Sequence, residues 1–280
     1  MKRTIEISPE RPQYVTVSGI TYAQVDHWYG HCRRDLKLDL IYPEDNGKKR
    51  YPCIVWICGG AWLTMDRSAH LAYLSKLAFN GFVVASVEYR TSNEAKFPSQ
   101  LQDVKSAIRY LKAHADRYRI NPKKFGVMGE SAGGHLSAMA ALASSKKFDT
   151  GDYLDQSSSV QAACPWYSPA NFNSFPPEEY GIAAPESLLI GCDPKKNPKA
   201  AKEANPVDYV TKKAPPFLII HGNNDHTVSH AQGVELHDEL ESKGCDVTLL
   251  TIKDADHADI RFFQDQIWNE ISGFFTSVLR

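Results

Sequence analysis

The spacing of apolar and polar positions changes along this chain, and the change separates its elements. In residues 36–42, Leu36, Leu38 and Leu40 alternate with Lys37, Asp39 and Ile41. A period of two predicts a half-exposed antiparallel strand, with another short strand at 14–17. Beyond residue 50 the alternation gives way to continuous apolar runs: CIVWIC at 53–58, FVVASV at 82–87, FGVM at 125–128 and FLII at 217–220. Short unbroken runs bounded by turn residues predict strands buried on both faces. VTLLTI at 247–252 is a further strand, and helical periods fall at 70–80, 101–118, from Ala132 onward, 230–243 and 260–279. Buried strands alternating with helices predict an α/β fold, a mostly parallel sheet with helices on both faces, as a single domain over 1–280.

Residues 151–205 break this rhythm. Pro165, Pro169, Pro176, Pro177, Pro185, Pro194 and Pro198 interrupt any regular element there. Trp166, Tyr167, Phe172, Phe175 and Tyr180 are costly to leave in water. The segment is therefore expected to form a small irregular cap that roofs the carboxyl ends of the strands, where ligands bind in such sheets.

Candidate chemistry lies at those strand ends. Ser131 is centred in Gly-Glu-Ser-Ala-Gly, between the strand run ending at Met128 and the helix starting at Ala132. A serine on a sharp strand-to-helix turn presents its hydroxyl outward, and Gly129 and Gly133 avoid a Cβ collision across the turn. That hydroxyl needs a base and a group to orient the base. Among ten histidines, His257 follows the last strand in the loop KDADHAD and is the expected base. His221 reads as a packed core residue, His135 as a support and His226 as part of a pocket wall. Asp225, after FLII in HGNND, lies between serine and histidine in the chain, as this topology requires. Asp254, Asp256 and Asp259 compete for the role but read as a solvated acidic loop. Backbone N–H groups of Gly60, Ala61 and Ala132 are the expected oxyanion donors, the first two from the glycine turn after CIVWIC.

Composition narrows the class. Formal net charge is −1 without a basic stripe, which argues against nucleic acid and anionic membranes as partners. Six scattered cysteines without a C-x-x-C pair read as free, mostly buried thiols. MKRTIEISPERPQ has no apolar core, and the chain has no run of about 18 apolar residues. No secretory signal and no membrane span are expected, and the predicted location is cytoplasmic.

With these parts assembled, the chain resembles an α/β-hydrolase from about residue 30 to its end. It is most similar to the hormone-sensitive-lipase-like carboxylesterases and the bifunctional acetyl xylan/feruloyl esterases. The residues that carry the likeness are CGGAW (58–62), VEYR (87–90), FPSQLQDVKSAIRYL (97–111), INPKKFGVMGESAGGHLS (120–137), HGNNDHTV (221–228) and DADH (254–257). Two positions depart from the pattern: Cys58 stands where members often carry His, and Ala61 replaces a third glycine while keeping its N–H.

The resemblance implies a Ser131–His257–Asp225 triad, an acyl-enzyme, and no metal or cofactor. It implies short-acyl or feruloyl esters on xylan-derived oligosaccharides as substrates, with Trp62, Trp166, Tyr167 and His226 as substrate contacts. Many members pair as dimers, which makes a homodimer an expectation. A histidine base implies a rate that falls below pH ~6.5. The alternatives are an arylformamidase, a general carboxylesterase on small esters, and a catalytically silent binding protein on the same fold.

Overall fold

The computed structural model describes residues 1–44, 49–143, 146–175 and 183–280. Eight strands form one sheet: β1 (Gln13–His27), β2 (Cys32–Glu44), β3 (Tyr51–Ile57), β4 (Val83–Val87), β5 (Ile120–Glu130), β6 (Ala162–Trp166), β7 (Phe217–Gly222) and β8 (Val247–Ile252). Their order is β1-β2-β4-β3-β5-β6-β7-β8. β1 pairs antiparallel with β2, and β2 with β4; from β4 to β8 every pairing is parallel. This is the α/β-hydrolase architecture. Seven α-helices accompany the sheet among the described residues: α1 (Leu71–Phe79), α2 (Ser99–Ala113), α3 (Ala132–Leu142), α4 (Pro185–Ile190), α5 (Pro198–Ala204), α6 (Ala231–Ser242) and α7 (Asp265–Leu279).

The unbroken apolar runs follow from the sheet having two cores. On β3, Cys53, Val55 and Ile57 pack toward the core shared with α2, α3 and α6, whereas Ile54 and Trp56 pack toward α1 and α7. Alternate side chains point to opposite faces, so both sets must be apolar. β2 lies nearer the edge, with one antiparallel neighbour on each side. Leu36, Leu38 and Leu40 are fully buried on one of its faces, but Asp39 and Ile41 on the other are buried as well, because that face is covered too, so the strand is not half-exposed as its alternation predicts.

Two further elements differ from the sequence expectation. Residues 162–166 are the central strand β6, so the cap is not a continuous excursion from 151 to 205. Its sequence AACPW hides it: Ala has low strand propensity, and Pro165 cannot donate to a ladder. β6 is paired along its length with β5 but touches β7 at two register positions, Ala163↔Phe217 and Trp166↔Ile220. The final helix is also broken. Asp259 caps a short 3-10 turn at Ile260–Phe263, and Gln264 is extended before α7 starts.

The rest of the cap, α4, α5 and the 3-10 turn Pro206–Tyr209, lies over the start of α3. His135 Nε2 donates to the Ala204 carbonyl at 2.7 Å, and Phe97 N donates to the Leu189 carbonyl at 2.9 Å. Tyr180, Pro176 and Pro177, which the sequence places in the cap, lie outside the described residues. No helix among the described residues is long and apolar enough to cross a membrane. The six cysteines are free thiols, and Cys53, Cys58 and Cys164 are buried.

Candidate active site

β5 runs straight into Ser131, whose backbone reverses at φ +51° before α3 begins. A non-glycine residue in this region is strained, and the surrounding backbone has to hold it there. Ser131 N donates to the Trp166 carbonyl on β6 at 3.0 Å, and its own carbonyl accepts from His135 N at 2.9 Å. The glycines are there because the turn is crowded. A Cβ on Gly129 would lie 2.5 Å from both the Gly133 and Ile57 carbonyl oxygens, and one on Gly133 would lie 2.0 Å from the Ile57 oxygen.

Loops after β7 and β8 bring two more side chains to this turn. Ser131 Oγ lies 2.9 Å from His257 Nε2, and His257 Nδ1 lies 2.8 Å from Asp225 Oδ2. The carboxylate accepts, so Nδ1 carries the proton and Nε2 offers its lone pair to the serine hydroxyl. Asp225 is held from several sides. Its Oδ1 accepts from Thr227 N at 2.9 Å and Val228 N at 2.8 Å, and His221 Nε2 stands 3.3 Å from Oδ2. Burial alone would raise this carboxyl. The hydrogen bonds from His221 and His257 prevail and hold it far below the usual carboxylate range, so it is ionised at neutral pH. His221 also donates Nε2–H to the Val228 carbonyl at 2.9 Å and is fully buried, so it is a core residue that additionally supports Asp225.

None of the three competing aspartates reaches the His257 ring. Asp256 accepts from the backbone N–H of His226 at 3.0 Å and of His257 at 2.7 Å, fastening one loop to the other. Asp254 N donates to Asn223 Oδ1 at 2.7 Å, and Asp259 caps the following turn.

The loop after β3 passes beside the serine. A Cβ on Gly59 would lie 3.2 Å from Ser131 Cβ. Gly60 and Ala61 follow with φ +122° and +53°, and a Cβ on Gly60 would lie 2.2 Å from the Thr64 carbonyl oxygen. Among the described residues the N–H groups of Gly60, Ala61 and Ala132 have no acceptor. Ala132 opens α3, where N–H groups and the helix dipole favour negative charge.

Residues 38–240 match the family described as BD-FAE. The chain belongs to the BD-FAE family. It is 33% identical over 218 residues to "Probable carboxylic ester hydrolase LipM" of Mycobacterium tuberculosis, covering 76% of this chain and 50% of that protein. "Esterase LipC" of the same organism is 32% identical over 70% of this chain and 52% of its own length. The chain thus spans about half the length of these curated relatives. Among solved structures, a "Truncated form of carbohydrate esterase from gut microbiota" is 32% identical, with a TM-score of 0.83 over 96% of this chain and 99% of that one. A "Bifunctional GH43-CE" of Bacteroides eggerthii is 29% identical, with a TM-score of 0.85 over 95% of this chain and 35% of that one. The chain is thus similar to proteins named as carboxylic ester hydrolases and carbohydrate esterases.

Within this BD-FAE domain the aromatic residues expected to contact substrate have other positions. Trp166 is fully buried on β6 between Trp56, Trp268 and Phe262, in the core facing α1 and α7. The two-residue period of the strand turns it away from the cleft. Tyr167 is also fully buried. Its ring meets His257 edge-on at 4.6 Å, and its hydroxyl donates to Glu130 Oε2. Trp62 lies beneath the loop, donating Nε1–H to His135 Nδ1 at 3.3 Å and packing edge-on against Phe172. Of the four, His226 is the exposed one, paired with Asp256 at 3.3 Å.

Glu130 is a further buried polar residue at this turn. This residue precedes the serine and gathers four groups. Its Oε1 accepts from His70 Nε2 at 2.8 Å and from Gly59 N at 3.4 Å, with Cys58 Sγ at 3.7 Å, and its Oε2 accepts from Tyr167. Burial would raise this carboxyl, but the hydrogen bonds from His70 and Tyr167 hold it below its ordinary value. Burial, then the Glu130 charge, push the neighbouring Cys58 thiol up to about 12. The available signal was a carboxylate placed one residue before the elbow serine, but its partners come from distant segments.

Proposed function

We propose that this chain is a serine carboxylesterase. Ser131 Oγ attacks an ester carbonyl while His257 Nε2 takes its proton. The oxyanion is bound by the N–H groups of Gly60, Ala61 and Ala132. Asp225 holds the Nδ1–H tautomer and stabilises the imidazolium. His257 then protonates the leaving alcohol, and water activated by the same ring releases the acid. The observation that carries this reading is the hydrogen-bonded line from Ser131 through His257 to an ionised Asp225.

For substrate, the reading is short-acyl or feruloyl esters on xylan-derived oligosaccharides. Support comes from the carbohydrate-esterase neighbour whose chain is matched over nearly its whole length. The buried aromatics take no part in it, so sugar contacts fall to exposed rim groups such as His226.

The test compares hydrolysis of acetylated xylo-oligosaccharide, methyl ferulate and p-nitrophenyl acetate, with Ser131→Ala as control. Much higher kcat/KM on the carbohydrate ester or the ferulate supports the substrate reading. Turnover of p-nitrophenyl acetate alone leaves a carboxylesterase acting on small esters. Full activity in Ser131→Ala overturns the mechanism.

A further inference from the structure

Three separate segments deliver a sulfur, an imidazole nitrogen and a carboxylate oxygen to one point beside the catalytic turn. Cys58 follows β3, His70 precedes α1, and Glu130 ends β5. Their ligand atoms all lie within 4.8 Å of one another. Cys58 Sγ is 3.7 Å and His70 Nε2 is 2.8 Å from the same oxygen, Glu130 Oε1. A tetrahedral zinc ion with bonds of ~2.0–2.3 Å sets its ligand atoms ~3.3–3.7 Å apart. The sulfur–oxygen separation already fits, and the imidazole has to withdraw by roughly half an ångström. The His70 side chain is 21% exposed, which gives the point a path to solvent. The remaining carboxylate oxygen is fixed by the Tyr167 hydroxyl, the kind of outer hydrogen bond that orients a metal-ligating carboxylate.

We propose that Cys58, His70 and Glu130 form a binding site for a borderline-soft divalent cation of the Zn²⁺ class. Thiolate, imidazole and carboxylate are the donor set such ions prefer over Mg²⁺ or Ca²⁺. Three protein ligands leave the fourth position to water. On binding, the Cys58 S–H bond breaks, an S–metal bond forms, and the proton passes to solvent. His70 Nε2, which donates its proton to Glu130 Oε1 in the metal-free site, gives that proton up to solvent while Nδ1 takes one, so the ring stays neutral and binds the ion through the freed Nε2 lone pair. One thiolate and one carboxylate then balance the dication.

Occupancy would act on the neighbouring loop. Glu130 Oε1 accepts from Gly59 N–H, and drawing that oxygen onto a cation releases the loop carrying Gly60 and Ala61. Zinc is therefore expected to slow ester hydrolysis, a consequence that rests on the esterase reading above.

The experiment is a Co²⁺ titration followed by absorption, with Zn²⁺ counted by equilibrium dialysis. Wild type is expected to bind one equivalent and show a thiolate-to-cobalt charge-transfer band. Cys58→Ser should lose the band, and His70→Gln, at a partly exposed position, should weaken binding at least tenfold. Ser131→Ala should keep the band, which separates this result from any failure of the esterase reading. His237→Ala should keep it too; His237, Asp238 and Glu241 form the other such group among the described residues. No band in wild type, or a band that survives both Cys58→Ser and His70→Gln, overturns the site. Zinc binding without any loss of kcat/KM overturns its effect on catalysis.

Discussion

Asp225 combines two properties rarely joined in one side chain: it is fully buried and it is ionised. Two backbone N–H groups, His257 and His221 surround it, and each hydrogen bond favours the charged form. An amide cannot accept from His257 and keep the same tautomer with equal strength. Asp225→Asn should therefore lower kcat by about 10⁴-fold with little change in KM, as expected when the base is held in the wrong tautomer. Stopped-flow or steady-state hydrolysis of p-nitrophenyl acetate measures it, and a drop below tenfold would remove Asp225 from the mechanism. Glu130 acts one step further out, through the Gly59 N–H and Tyr167. Glu130→Gln keeps the shape but replaces an acceptor oxygen with an amide donor. Loosening of the loop by a fraction of an ångström should cost 10–10²-fold in kcat while KM for a small ester holds. A change confined to KM would instead place Glu130 in substrate binding.

At the scale of elements, α3 is where the sheet, the Ser131 turn and the cap meet. Its His135 is fully buried, accepts from Trp62 Nε1 and donates to the Ala204 carbonyl, so one ring ties the loop after β3 to α5. Burial lowers its pKa to about 4, against ~6.5 for a histidine in an unfolded chain. The unfolded state thus binds more protons between those values, and stability must fall as pH drops from ~6.5 toward 4 and level off below. That term amounts to roughly 3 kcal/mol at most. Urea midpoints of wild type against His135→Gln, measured from pH 7 to 4, should show a steeper decline in wild type; parallel curves would refute the assignment. The elements that pattern alone revealed were those built by one rule, such as β3, β4 and β7 as unbroken apolar runs. Ser131, Asp225 and His257 stood out because each follows a strand in the loop at its carboxyl end. β6 did not stand out, because Pro165 argues locally against a strand that both neighbours nevertheless impose. The Glu130 group was equally hidden, since Cys58, His70 and Tyr167 meet it only after β3, β5 and β6 are laid side by side.

For the whole molecule, the sheet divides the interior into two cores, and they have different relations to the cleft. The core under α2, α3 and α6 includes Trp62 and Phe172 and continues into the cap. The core under α1 and α7 is built on Trp56, Trp166 and Trp268, and the Trp166 carbonyl accepts from Ser131 N at the turn. Trp166 decides between two accounts of the aromatic residues. As a sugar platform it would set affinity for carbohydrate esters; as a core residue it sets stability. Its complete burial gives the second. Trp166→Leu, which leaves the Trp166 carbonyl to accept from Ser131 N, opens a cavity and should cost about 2–4 kcal/mol. In a chain of this size each kcal/mol lowers Tm by ~2–4 °C, so a fall of roughly 5–15 °C is expected. Below the new transition, KM for acetylated xylo-oligosaccharide should match wild type within about twofold, because the side chain never meets substrate. The measurement pairs differential scanning calorimetry with steady-state kinetics at 25 °C. A large rise in KM with Tm unchanged would return Trp166 to the cleft and would mean that β6 carries its aromatic toward the opposite face of the sheet.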